Sequence, residues 1–241
     1  MRFSEPPCCS RCDYGGDWRV SLADWSPRER PGQWPLIGTR VVLEPLEWGT
    51  HKEGLYAAVA APEVADIWDY MPIGPFKSVD HFEATFAEVM QSRGWETLVI
   101  RKGNGGKVLG MASYMRIREP HGSAEVGCVA FGRALRRTPE ATEAMYLMAS
   151  HVFDELGYRR YEWKCHNENR ASRRAAERFG FPFEGVFRND MVLKGKNSDT
   201  AWFAMTDTDW PAVKSAFEAW LSPSNFDASG QQVQTLESFR K

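Results

Sequence analysis

The strongest constraint on this chain is the tripeptide Thr138-Pro139-Glu140, which sets a helix start directly behind three strand-like runs. Threonine caps the orphan amides of a first turn, proline suits the first helical position because its missing N–H has no intrahelical partner, and an acid favours the positive end of the helix dipole. The helix it opens extends to Leu156, with Met145, Met148, Val152 and Leu156 on one face and Gly157 as its stop. Upstream, 96–101, 108–118 and 124–131 alternate as strands, separated by the glycine-rich turn 103–106 and by Pro120 to Gly122, which predicts an antiparallel meander. Downstream follow a strand over 159–165, a helix capped by Asn169 and ending at Gly180, strands over 181–187 and 200–205, and a helix capped by Asp207 or Thr208 through Leu221. Ahead of the meander, 36–46 reads as one strand and 50–61 and 78–92 as helices, the second capped by Ser78. The expected class is mixed α/β, a mostly antiparallel sheet of about seven strands flanked by helices.

Residues 1–34 are rich in Pro, Gly, Cys and Trp without periodicity and read as a loosely structured extension, pinned by Trp18, Trp25 or Trp34; the domain proper spans 35–222, and 223–241 reads as a loose tail. A net charge of −2 gives no global basic excess, so nucleic acid is not an expected partner. No run reaches the ~20 apolar residues of a membrane span, and the opening residues lack the apolar stretch of a signal peptide, so a cytoplasmic protein is expected. Cys128 and Cys165 sit in strand-like runs as core thiols. Cys8, Cys9 and Cys12 have no second pair or nearby histidine to complete four zinc ligands, and no metal is expected.

Two motifs flank the strand 159–165. Arg136-Arg137-Thr138-Pro139-Glu140-Ala141 spans the first helix start, and Asn169-Arg170-Ala171-Ser172 opens the next helix, which closes through Glu177-Arg178-Phe179-Gly180-Phe181 and Glu184-Gly185. With the order of elements over 36–206, these residues resemble the GNAT N-acetyltransferase superfamily, most closely the branch that acetylates ribosomal-protein N-termini and small amines. The resemblance implies acetyl-CoA as co-substrate, lying where the strand 124–131 is splayed by a bulge from its parallel neighbour. It assigns Val129 and Phe131 to the pantetheine arm, the turn containing Arg136, Arg137, Thr138 and Ala141 to the pyrophosphate, and Asn169 to a pantetheine amide. Pro139 stands where the family usually has glycine, which removes one phosphate donor.

Acetyl transfer to an amine needs a neutral nucleophile, and a lysine-type amine of pKa ~10.4 is almost wholly protonated at neutral pH. A carboxylate must take the proton. Glu125, at the start of the splayed strand, resembles the general base of many family members, the alternative being a solvated strand end; Asp190 is the second candidate. The backbone near Val129 is the expected oxyanion donor, and the resemblance implies Ser172 as the acid that protonates the departing thiolate. The five histidines do not cluster. The expected acceptor is a small-molecule amine or a peptide N-terminus, handled by a monomer or homodimer, with segments 70–77 and 188–199 lining its cleft. A non-catalytic acyl-CoA-binding module of the same fold is the other reading the residues allow.

Overall fold

A computed structural model describes residues 21–103 and 105–240. Eight strands form one sheet in the order β1-β2-β3-β4-β5-β6-β8-β7. The meander is as expected: β3 (Glu96–Lys102), β4 (Val108–Arg118) and β5 (Ser123–Phe131) pair antiparallel. β5 is joined through α3 (Pro139–Ser150) to β6 (Arg160–His166), and this pair is parallel, as a helical crossover requires. α1 (Trp48–Leu55), α2 (Val79–Arg93), α4 (Arg170–Arg178) and α5 (Trp210–Leu221) complete the helices.

Strand alternation sends successive side chains to opposite faces, and each face has its own core. On one face Leu98, Ile100, Tyr114, Val126, Tyr161, Trp163 and Phe203 pack with α3 and α5. On the other, Val99, Met111 and Ala130 meet α1 and α2 through an aromatic group of Trp68, Phe76, Phe82 and Phe86. Each of these rings is almost fully buried, contributing roughly 1.5–3 kcal/mol. Over β6 and β8 (Lys196–Thr206) the second face turns polar, because Glu162, Lys164, Thr200 and Trp202 occupy the positions that alternate with the first core.

Several expectations need correction. The single strand over 36–46 is a hairpin of β1 (Leu36–Ile37) and β2 (Val41–Pro45), because the Glu143 carboxylate on α3 gathers the N–H groups of Thr39, Arg40 and Val41 and turns the chain there. Segment 188–199 is no loop: β7 (Phe183–Leu193) runs into a tight turn at Lys194-Gly195 and returns as β8. Asp209, not Asp207 or Thr208, precedes α5, and its carboxylate accepts from Thr206 rather than from the helix. The tail after Pro223 is packed, not loose, with Leu236 buried in the main core and Asn225 bonded to the carbonyls of Trp220 and Gln234.

The described part of the N-terminal extension is also held. Arg30 donates to Glu96, Glu119 and the Gly94 carbonyl, and Trp25 donates to the Pro120 carbonyl, whereas Trp34 is 72% exposed. Trp18, Cys8, Cys9 and Cys12 lie outside the described residues. Among the described residues no helix is long and apolar enough to cross a membrane.

Candidate active site

Two β-bulges bracket Glu125. Below it, β4 pairs Met115 with Glu125 but Arg118 with Ser123, so β4 spends two residues against one, and Arg116 takes a left-handed φ of 44°. Above it, Met111 pairs with Ala130 and Ser113 with Gly127, so β5 carries the extra residue, with Cys128 at φ 46°. The upper bulge turns Cys128 to the α1/α2 face beside Met71 and Val129 to the main core. Gly127 leaves room there for two side-chain ends, since a Cβ would stand 2.9 Å from Glu125 Oε1 and press on Met115 Sδ.

Parallel pairing of β5 with β6 stops at Val126↔Trp163, leaving 127–131 and 164–166 without a common ladder. Gly132 N–H donates to Leu109 O at 3.0 Å, so alternation turns the backbone groups of Phe131 and Val129 away from β4 and toward the gap. The Phe131 carbonyl does face outward, accepting from Arg136 Nε at 3.0 Å.

Glu125 lies on the α1/α2 face of β5 with its side chain 2% exposed. Burial pushes its carboxyl up to about 7, the nearby Glu162 adds to the rise, and Lys164 and Arg116 oppose it. Both cations approach Oε2, Lys164 Nζ at 3.5 Å and Arg116 Nε at 3.6 Å, and that oxygen has no hydrogen-bond partner among the described residues. Such distances are at or beyond the outer limit of hydrogen bonding. The solvated strand end considered from the sequence is therefore excluded. Arg116, Glu162, Lys164 and Trp202 were missed; the alternation of Glu162, Lys164 and His166 against Tyr161, Trp163 and Cys165 was the one local sign that this face of β6 is polar.

The turn before α3 is built as the cap predicts: Thr138 Oγ1 accepts from Ala141 N–H at 3.3 Å and donates to Leu135 O at 2.7 Å. This occupies the Thr138 hydroxyl and the Ala141 amide internally. Pro139 has no N–H and Thr142 N–H goes to Thr138 O, so Glu140 supplies the open amide of the first turn. Arg137, at φ 63°, is exposed. Arg136 also reaches Asp66 at 3.4 Å, and Arg133 donates to the Glu63 carbonyl, so both arginines tie the turn to the 3-10 segment Pro62–Trp68.

At the start of α4, Asn169 Oδ1 accepts from Ser172 N–H at 3.0 Å, and Ser172 Oγ accepts from Trp163 Nε1 at 3.0 Å, which leaves the Ser172 O–H available to donate. Trp163 belongs to the main core, so Ser172 and Glu125 stand on opposite faces of the sheet, either side of the β5–β6 gap. Asp190 is not brought to this place. It is exposed on the edge strand β7, in the irregularity between Phe187 and Met191, with β8 and β6 between it and β5.

A cleft of ≈ 380 Å³ opens on the Glu125 face beyond the end of β6, with Tyr70, His166, Leu193, Lys194 and Asp199 among its walls. Segment 188–199 lines this cleft as a hairpin, and of 70–77 only Tyr70 takes part. Lys194 Nζ donates to Trp68 O at 2.7 Å across the cleft, and the Tyr70 and His166 rings lie 5.1 Å apart. Glu125 is not among the walls.

The family model described as an acetyltransferase (GNAT) domain matches residues 40–182. Among solved structures, a GCN5-related N-acetyltransferase from Brucella melitensis is 44% identical, with 91% of this chain and 99% of that one covered at a TM-score of 0.86. A GNAT-family protein from Chromobacterium violaceum is 37% identical, with 87% and 100% covered and a TM-score of 0.74. A spermidine N-acetyltransferase from Vibrio cholerae, solved with CoA and spermine, is 17% identical over 72% of this chain and 99% of that one, with a TM-score of 0.58, a likeness of fold alone. No curated protein matches the chain. The outward-turned end of β5, the capped α3 and the matches together establish that this chain belongs to the GNAT acetyltransferase family.

Proposed function

We propose that the protein transfers acetyl from acetyl-CoA to a primary amine, a small molecule or a peptide N-terminus, by direct attack in a ternary complex, with the chemistry carried by 35–222. The observation that carries the reading is Glu125, a buried carboxyl pushed up to about 7 with one oxygen unbonded, one residue before β5 parts from β6. A base of that strength is half ionised near neutral pH and accepts a proton readily. The amine nitrogen attacks the thioester carbon while Glu125, directly or through water, removes its proton. Backbone N–H at Val129 receives the developing oxyanion. As the C–S bond breaks, the Ser172 O–H donates to the developing coenzyme A thiolate and relays it a proton that Ser172 regains from water, so coenzyme A leaves as the thiol and the serine stays neutral. Acetyl-CoA would lie in the β5–β6 gap against Val129 and Phe131, with its pyrophosphate at the turn of Arg136, Arg137 and Thr138 and its arm beside Asn169.

The deciding experiment follows thiol release from acetyl-CoA with a panel of amines and peptides, alongside calorimetric titration with coenzyme A. Micromolar binding, roughly −8 kcal/mol, is expected, weakened by the double substitution Arg136→Ala and Arg137→Ala. Binding without turnover across the panel would favour the non-catalytic module. No binding at millimolar concentration would end the reading.

A further inference from the structure

We propose that Arg116, Lys164 and Trp202 act as one positioning clamp on Glu125, in which the indole holds two cations against the buried carboxylate oxygen Oε2 without bonding it. The inference rests on the reading of Glu125 as the base. Arg116 Cζ lies 5.1 Å and Lys164 Nζ 5.4 Å from the Trp202 ring centre, so one indole holds both cations by cation–π attraction. Lys164 and Trp202 are direct partners in the β6–β8 ladder, and the Phe187 ring, 5.1 Å away, buttresses the indole from β7. Arg116 is aimed from β4 by its bulge, whose left-handed backbone is unfavourable for any residue but glycine and persists only where the surroundings enforce it.

The adjacent carboxylate shows what an ordinary structural ion pair looks like. Glu162, paired with Glu125 in the parallel ladder, is held by Arg118 at 2.8 Å and Arg160 at 2.7 Å, both on Oε1, while its Oε2, like that of Glu125, has no partner among the described residues. At Glu125 the two cations instead stand 3.5 and 3.6 Å away, close enough to stabilise a negative charge yet too far to fill the lone pairs. The carboxylate thus keeps a vacancy for an incoming proton. The charged groups facing Glu125 are Arg116 from β4 and Glu162 and Lys164 from β6; Trp202 on β8 and the neighbouring Met115 and Gly127 are neutral.

The test is a ¹³C-NMR titration of glutamate-labelled protein, with the Glu125 resonance assigned by its loss in Glu125→Gln, run beside the pH profile of kcat/KM. Lys164→Met should raise the Glu125 midpoint by about one pH unit. Arg116→Gln should raise it by less, because the Arg116 side chain is 47% exposed and solvent screens it. Trp202→Leu should raise it as well, and Trp202→Phe should restore most of the original value. The acid limb of kcat/KM should move in step. A midpoint unchanged in both Lys164→Met and Arg116→Gln would overturn the clamp. If the midpoint moves as expected while Glu125→Gln keeps full activity, the clamp stands and the assignment of the base falls.

Discussion

Two buried glutamates in this molecule are treated in opposite ways. Glu143 on α3 accepts from Thr39 N–H and Oγ1, from Arg40 N–H and from Val41 N–H, at distances of 2.6 to 3.2 Å, so every lone pair it brings into the interior is used. Gly38 makes room, since a Cβ there would stand 2.6 Å from Glu143 Oε2. Glu125 on β5 is as deeply buried, yet its Oε2 has no bond among the described residues and its two cations are held back by an indole. A buried carboxylate with all its bonds made is a structural joint. One left under-bonded is destabilising as an ion and ready to take a proton, and the fold retains it beside the gap where acetyl-CoA is expected.

The comparison breaks most visibly in rate. Glu125→Gln should lower acetylation by about 10² to 10⁴ at neutral pH, within the usual range for loss of a general base, and raising the pH should recover part of it as solvent deprotonates the amine. A rate within threefold of the parent at neutral pH would remove Glu125 from the chemistry. Glu143→Ala should do the converse: roughly 3–5 kcal/mol of stability lost in denaturant unfolding, because several backbone donors lose their acceptor, with turnover per folded molecule little changed. Equal stability of parent and variant would mean those donors find other partners.

A smaller effect sharpens the contrast through pH. The Glu125 carboxyl is pushed up to about 7 from 4.5, so the folded state favours the protonated form. Its contribution is complete below about 4.5 and is lost as pH rises through about 7, a decline of up to about 3 kcal/mol. With Glu125 as the proposed base, activity is expected to rise over the same window. Glu125→Gln should therefore match the parent in stability at pH 4 and exceed it at pH 8, which unfolding curves at the two values would show; an equal gap at both would mean the carboxyl is not perturbed. The smallest expected effect is at the phosphate turn, away from both glutamates. Pro139→Gly restores one N–H, so coenzyme A affinity should rise or hold level in calorimetry, at a cost of up to ~1 kcal/mol in stability. A tenfold loss of affinity would show that the proline ring shapes the site.

The long segment after Phe187 marks where local reading stops. Its Asn189-Asp190 and Lys194-Gly195 carry turn chemistry, and most of its side chains are exposed on both faces, so no alternation marks it as a strand. It is a strand because β8 pairs with it.

By itself the sequence determined the features whose causes lie within a few residues: the caps at Ser78, Thr138 and Asn169, the meander, the helical faces, and the motifs that resemble the family. These rest on backbone amides bonding side chains three positions away and on periodicity, both local. Tertiary structure alone decided the two bulges, because Arg116 and Cys128 hold left-handed backbone that only glycine would have signalled. It also decided the partners of the two glutamates. Glu143 meets a hairpin more than 100 residues away in the chain, and Glu125 meets Arg116 and Lys164 from two other strands. Sequence spacing carries no record of which strands will lie side by side, and the desolvation that raises the Glu125 carboxyl exists only once they do.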